Sequence, residues 1–594
     1  MTTRATRSPR RRTVVALAVV LAVLAAFVVR LVDIQVVRAD AHVEDSLRTG
    51  KLGTSTSIPG QRGSIVDSEG TVLASSVLVY DAQLSPQVIM LLENDEENKP
   101  KLPWAEASEK IAAITGQTGD EVRAIVAAAL AENAESQYAL LKRGLTTEQY
   151  LALRDLGLPY LAVKPRETRV YPNGAVAGNI VGFLDGEGKA QVGVEKMEGQ
   201  CLASTAGERS YRTGKDGVVI PGSERTVDAV DGGTVQLTLN SDLQWYMQQM
   251  IGEEAQKQGA KGGTVTVVET KTGKIRAAAE WPAMDPNDLD ASARETWGNQ
   301  IFTYDFEPGS TFKAITAAAV IEGAGASPLT TVTASSRETF PNGAVINDAF
   351  SHPDYNYTLA GALIDSSNVA LSKFGEMVSP DVRHDYLQRF GVGTETIGFP
   401  NETDGTLHPT SEWDNQSIYT TSFGQHFTVT APQLAGAYQA IANGGEKIGL
   451  SLVESCTQTD GTVVTPDAPE REQIVTPETA SQLTRMLENV AVQGGLAEDI
   501  AVPGYRVTSK TGTAQVADLV NGGYKSGVYY TSMVGFAPVD DPEYVIVVTL
   551  DEPTRITSSA ATASAFQKAV TQVMKTYRVM PSSTPMDELL PKFE

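Results

Sequence analysis

Apolar positions run unbroken from Val14 to Val29 and resume at Leu31, Val32 and Ile34, long enough for a helix that crosses a bilayer. Past this stretch the period changes. Arg62 to Ala74 reads as two short strands around a Ser68-Glu69-Gly70 turn. Residues 90–104 form a charged, proline-containing loop, and 105–157 turn helical. Apolar residues recur at helix spacing from Glu109 to Thr115 and from Glu121 to Leu130, and Thr146 with Gln149 makes a capping box for a third helix through Leu153. Strand-like pieces return from Tyr160 to Val194, and polar turns continue to about Glu224. From Gly232 the pattern becomes regular. It predicts a strand over Thr234 to Leu239, a helix from Asp242 to about Lys257 capped by Ser241, and a hairpin turning at Lys271-Thr272-Gly273. More than two hundred residues of helix and loop follow. Strands resume at Arg506 to Val516, Tyr530 to Pro538 and Glu543 to Leu550, and a helix closes the pattern from about Ser559 to Tyr577. Early and late strands sharing one antiparallel sheet, with helical material inserted between them, make an α+β fold. Met580 to Glu594, with its Pro-Ser-Ser-Thr-Pro run, is expected to be a disordered tail.

Charge and rare residues narrow the picture. The formal net charge of -24 excludes nucleic acid as a partner, because phosphate binding needs a basic face and none exists outside the first dozen residues. There, Arg4, Arg7, Arg10, Arg11 and Arg12 precede the apolar run, so its amino end is expected on the cytoplasmic side and the bulk of the chain outside. Small-residue cleavage sites near Ala39-Asp40-Ala41 are separated from the run by Arg30, Asp33 and Arg38, which favours an uncleaved anchor over a secretory signal. Cys201 and Cys456 are too few for a disulfide framework. An oxidising compartment allows one bridge, yet two cysteines so far apart in sequence read as unpaired. The five histidines show no ligand spacing, and neither a metal site nor a cofactor is expected.

The chemistry lies in three short elements in a fixed order: Ser310-Thr311-Phe312-Lys313, Ser366-Ser367-Asn368 and Lys510-Thr511-Gly512-Thr513. Together they supply a nucleophile with a lysine one turn on, a second hydroxyl with an amide, and a lysine on a glycine-opened strand. Lys271-Thr272-Gly273 copies the third element but precedes the serine, so it is the hairpin turn. Pro308-Gly309 before Ser310 puts the serine at the first turn of a helix, where free N–H groups favour negative charge, with Lys313 on the same face. Ser366 and Asn368 sit in a polar break between helical runs, a place where serine and asparagine also serve as plain caps. Gly512 lets another backbone approach, so an extended peptide can add as a strand, with the Thr511 and Thr513 hydroxyls and the Lys510 charge facing its carboxylate.

On these residues the chain resembles the class B penicillin-binding proteins, membrane-anchored D,D-transpeptidases of bacterial wall synthesis. The likeness extends to Arg62-Gly63 with Asp67, Gly70 and Leu73-Ala74, to Arg169-Val170-Tyr171-Pro172, Gly193-Val194-Glu195 and Phe306-Glu307-Pro308-Gly309, and to Thr430-Ala431-Pro432-Gln433-Leu434-Ala435 with Ala442-Asn443-Gly444-Gly445. Ser68 and Glu269 depart from the family pattern, away from the chemistry. The resemblance implies a cytoplasmic basic tail (1–12), a transmembrane anchor (13–34), a mixed α/β pedestal of the dimerisation type (35–225) and a transpeptidase domain (226–579) before the tail (580–594). The transpeptidase domain would pair an antiparallel sheet flanked by helices with an all-helical subdomain.

It further implies that Ser310 attacks the carbonyl between the last two D-alanines of a peptidoglycan stem peptide, with Lys313 as base. Ser366 and Lys510 would pass a proton to the leaving amine, Asn368 would hold the substrate amide, and Thr511 and Thr513 the terminal carboxylate. Backbone N–H groups of Ser310 and Thr513 would hold the oxyanion, each worth roughly 10²–10³ in rate. β-Lactams would acylate the same serine. A polytopic membrane glycosyltransferase and division proteins would be the partners, and septal rather than lateral growth the setting. A D,D-carboxypeptidase, a β-lactam-hydrolysing or β-lactam-sensing protein, and a non-catalytic division scaffold are the competing readings.

Overall fold

The computed structural model describes residues 9–33, 37–38, 53–95, 102–212, 219–518 and 520–594. Arg4, Arg7, Ile34, Ala39-Asp40-Ala41 and part of the 90–104 loop lie outside the described residues. The chain forms two compact units, one of residues 1–61 and 204–231, the other of residues 62–203 and 232–594. The smaller unit holds the helix Pro9–Val32 and a three-stranded antiparallel sheet of Gly53–Ile58, Gly207–Arg212 and Arg225–Val227. Within that helix Thr13–Val32 is long and apolar enough to cross a bilayer, and among the described residues nothing buries its apolar side chains. It is a single membrane anchor among the described residues.

The larger unit is built on two sheets. One is five-stranded and antiparallel throughout, in the order Ile275–Trp281, Gly262–Glu269, Tyr544–Asp551, Tyr524–Ala537, Lys510–Ala517. The hairpin turns at Thr272-Gly273 as expected, with Gly273 at φ 71. Alternation along the strands divides the core. Val265, Val267, Ile546 and Val548 face the helices Ser241–Gln258 and Ala563–Thr576, through Leu243, Met247, Ile251, Phe566 and Val570. Val268, Val545, Val547 and Val534 face the other way, into the cluster that holds the helices Lys313–Ala324 and Ala431–Ala442. Asn240, not Ser241, caps the helix Ser241–Gln258, accepting from Leu243 N at 2.9 Å. The Ser241 hydroxyl is committed elsewhere, donating to Asp67 Oδ2 at 2.6 Å.

The second sheet runs Val463–Val464, Val453–Thr457, Thr234–Leu237, Ile65–Val66, Val72–Leu84, Ala139–Leu145, with Leu161–Val170 also on Val72–Leu84. Three expectations change here. The strand at Thr234 does not join the late strands; it pairs with Ile65–Val66 in parallel and with Val453–Thr457. The region 105–157 is not all helix: Ala139–Leu145 is a strand between the helices Gly119–Glu132 and Thr147–Asp155, and the expected loop begins as a helix, Pro86–Asn94. The Thr146/Gln149 capping box is present. Arg62 and Arg169 both grip the buried Glu195, each at 2.6 Å, and so tie the loop before Ile65–Val66 and the strand Leu161–Val170 to the helix Gly193–Met197.

Two further readings are overturned. Cys201 and Cys456 are joined in a disulfide, with Cα atoms 6.1 Å apart. Sequence distance hid this: Cys456 pairs with Val235 across the second sheet, and Gly233 N donates to Cys201 O at 2.7 Å, so strand Thr234–Leu237 brings the two together. Residues 580–594 are not a disordered tail. Ser583 N donates to Asp540 at 2.8 Å, Arg485 donates to Glu588 O at 2.9 Å, Leu590 is buried, and Phe593 bridges to Tyr357. The prolines exclude helix and strand there but leave the backbone free to dock on other elements.

Candidate active site

Ser310 lies on the 3-10 turn Gly309–Phe312 that leads into the helix Lys313–Ala324, half-buried at its mouth. The Lys313 side chain is fully buried. Its amine donates to Asn368 Oδ1 at 2.7 Å, to Ser366 Oγ at 3.1 Å and to the Ser366 carbonyl. From the opposite side the equally buried Lys510 donates to the same Ser366 Oγ at 3.0 Å. One hydroxyl thus stands between two amines. Burial holds Lys313 well below the ordinary ammonium value, with Lys510 adding repulsion and Asp348 pulling the other way; burial alone pushes Lys510 down to about 7.

The Ser-Ser-Asn break divides its labour. Ser367 is the helix cap, accepting from Ala370 N at 2.9 Å, which leaves Ser366 for the lysines. Ser366 sits at φ 55, a left-handed conformation that costs a non-glycine residue about 1–2 kcal/mol and so needs firm neighbours. Asp348, which sequence reasoning missed, is one source of that firmness. Its buried carboxylate accepts from Ser367 Oγ at 2.6 Å and from Val369 N at 2.9 Å. No spacing rule ties an aspartate in a loop to a serine beyond the next helix. Tyr438 was missed for the same reason; its hydroxyl donates to Thr311 O at 2.7 Å and pins the serine turn.

Lys510–Ala517 is an edge strand of the five-stranded sheet, open to pairing on one side. Gly512 is needed because a Cβ there would come within 2.8 Å of Pro308 O and would collide with Ser532 Oγ. The backbone it lets approach is therefore the chain's own serine turn. Thr511 is half-buried; Thr513 is exposed, and its hydroxyl oxygen accepts from Ser559 N at 2.9 Å, leaving its proton to donate. A cavity of about 510 Å³ lies elsewhere, bounded by Arg389, Phe390, Pro432 and Lys447, and shares no residue with the cluster. An open strand edge suits an extended peptide better than an enclosed hollow does.

Known proteins share this architecture. The profile of the penicillin-binding protein transpeptidase domain matches residues 263–575, and that of the penicillin-binding protein dimerisation domain matches residues 57–237. Penicillin-binding protein PbpB of Mycolicibacterium smegmatis is 32% identical over 566 residues, 92% of this chain and 87% of the relative. Peptidoglycan D,D-transpeptidase FtsI of Escherichia coli K12 is 27% identical over 95% of this chain and 91% of its own length. Among solved structures, penicillin-binding protein 3 of Mycobacterium tuberculosis in complex with aztreonam superposes with a TM-score of 0.69 at 27% identity, covering 90% of this chain and all of that one. Fold and matches together define a membrane-anchored transpeptidase of the serine acyltransferase type. The chain belongs to the penicillin-binding proteins, with the class B, cell-division-type arrangement of anchor, dimerisation domain and transpeptidase domain.

Proposed function

We propose that this chain cross-links peptidoglycan stem peptides through an acyl-enzyme on Ser310, during septal wall synthesis. The observation that carries the reading is the Ser366 hydroxyl held between two buried amines, 3.1 Å from Lys313 and 3.0 Å from Lys510. Kept neutral by burial, Lys313 takes the proton of Ser310 as its oxygen attacks the carbonyl carbon between two D-alanines. Backbone N–H groups of Ser310 and Thr513 hold the oxyanion. The C–N bond then breaks, a proton relayed through Ser366 from Lys510 goes to the departing nitrogen, and D-alanine leaves. Asn368 orients the donor amide, and Thr511 and Thr513 hold its carboxylate along the edge strand while the charge on Lys510 attracts it. A second stem's amine attacks the acyl carbon in turn, its proton passes through Ser366 back to Lys510, the acyl C–O bond to Ser310 breaks, and Lys313 returns its proton to the serine oxygen.

A β-lactam undergoes the same attack, but its amine stays tethered and the adduct persists. The arginines before the anchor support a cytoplasmic amino end, and the Cys201–Cys456 bond supports an oxidising, extracytoplasmic place for the catalytic part. Placed there, the single span and the dimerisation-type region are suited to contact a polytopic glycosyltransferase and division proteins in the membrane. Full-length chain in detergent, exposed to benzylpenicillin and read by intact mass spectrometry, should gain one adduct on Ser310 that Ser310→Ala abolishes. With a stem pentapeptide donor, an added D-amino acid should be incorporated rather than the acyl group lost to water. A native chain that forms no adduct would refute the reading, and hydrolysis indifferent to the acceptor would turn it into a carboxypeptidase.

A further inference from the structure

Residues 588–594 reach the loop that carries Ser366 by two routes. The first is direct: Lys592 Nζ pairs with Asp365 Oδ1 at 2.7 Å, and Asp365 is covalently next to Ser366. The same segment zips onto the strand Tyr355–Thr358. Thr358 N donates to Lys592 O at 3.0 Å, Glu594 N to Asn356 O at 3.1 Å, and Thr358 Oγ1 to Pro591 O at 2.7 Å. Thr358 caps the helix Leu359–Ile364, so the segment holds both ends of the helix that leads into the loop. The Lys592 carbonyl lies over Gly361, where any Cβ would fall inside its van der Waals radius.

The second route passes through rings. Phe593 lies 4.4 Å from Tyr355, which stacks on His352 at 5.1 Å. His352 Nε2 meets Asp348 Oδ2 at 2.9 Å, and that oxygen also accepts from Ser367 Oγ. The two residues flanking the left-handed Ser366 are thus each anchored, one by Lys592 and the other by Asp348 under the Phe593 stack. We propose that Lys592 and Phe593 are positioning residues for acyl transfer, fixing Ser366 between Lys313 and Lys510. The inference rests on the reading of Ser310 as nucleophile and Ser366 as relay. It adds a distant segment to that machinery.

Rapid mixing of the full chain with a fluorescent penicillin over a range of pH tests it, using Lys592→Ala, Lys592→Arg, Phe593→Ala and Gly361→Ala. In the two alanine variants at 592 and 593, and in Gly361→Ala, we expect the covalent step to slow about tenfold while affinity before bond formation is kept. Its acid limb should move to higher pH, because a loosened loop lets water reach the Lys313 amine. Lys592→Arg should restore most of the rate. In a chain stopped after Asp587, Gly361→Ala should have no further effect, since the carbonyl it would strike is gone. Unchanged rates and pH profiles in Lys592→Ala and in the shortened chain would overturn the inference. So would a lower yield of competent molecules that each react at the native rate, which marks a clasp that only stabilises. A native chain without any Ser310 adduct brings down the functional reading as well, whereas a reactive native chain with indifferent variants brings down this inference alone.

Discussion

At the scale of single residues the site is organised by desolvation. Two lysines packed side by side would repel if both were charged, so burial favours a neutral Lys313 and leaves Lys510, at about 7, able to hold or release its proton near neutral pH. On the proposed reading this suits Lys313 to act as the base, and it also makes the pair a stability burden. Lys510 is held down at about 7 in the folded chain, against about 10.4 when unfolded, so between those values the unfolded chain binds the extra proton. Its contribution is unfavourable below the folded value and is relieved as pH rises through the window toward the unfolded one. Lys510→Met should therefore abolish acylation of Ser310 yet raise stability by about a few kcal/mol at neutral pH and by little near pH 10, seen as a higher thermal midpoint. Calorimetry of the detergent-solubilised chain at both pH values checks this. A variant less stable than the native chain at neutral pH would show that the Lys510–Ser366 hydrogen bond outweighs the buried charge.

At the scale of elements, function depends on how close two backbones come. The turn carrying Ser310 rests on the edge strand where Gly512 leaves no side chain, and this contact fixes the distance from Ser310 to the strand. Gly512→Ala should push the strand away from Pro308, slowing acylation about a hundredfold, with a smaller loss of about 1–3 kcal/mol in stability from overpacking. Stopped-flow acylation alongside thermal unfolding separates the two effects, and an alanine variant reacting at the native rate would mean that the strand tolerates the shift. Elements of this kind were visible in the sequence because their signals are local. The Thr146/Gln149 box, the Thr272-Gly273 turn, the Ser310/Lys313 spacing and the Ser-Ser-Asn break all reside within a few consecutive residues. What escaped was set by other parts of the chain. Ser241, the expected cap, gives its hydroxyl to Asp67 and leaves Asn240 to cap the helix, and Asp348, the Thr234 strand's partners and the docking of residues 580–594 carry no local mark at all.

For the molecule as a whole, the decisive nonlocal bond is the disulfide. It joins the helix Gly199–Leu202 to the strand Val453–Thr457 across a sequence separation of 255, closing the serine turn, the Ser366 loop and most of the inserted helices into one covalent ring. Loop entropy for a ring of that size removes about 5 kcal/mol of freedom from the unfolded chain, at the upper end of what such bonds contribute. The bond is buried in the second sheet and touches neither lysine, so its contribution should fall on stability and leave chemistry intact. The double variant Cys201→Ser, Cys456→Ser should unfold at a markedly lower temperature, while its acylation rate below that temperature matches the native chain. Native chain treated with a reductant under mild denaturant should behave in the same way. Thermal unfolding by circular dichroism and penicillin acylation, measured on the same samples, give the comparison. A slower acylation at full folding would mean that strain travels from the second sheet to the Ser310 turn, and the two sheets would then have to be treated as one mechanical piece rather than as a scaffold beside a site.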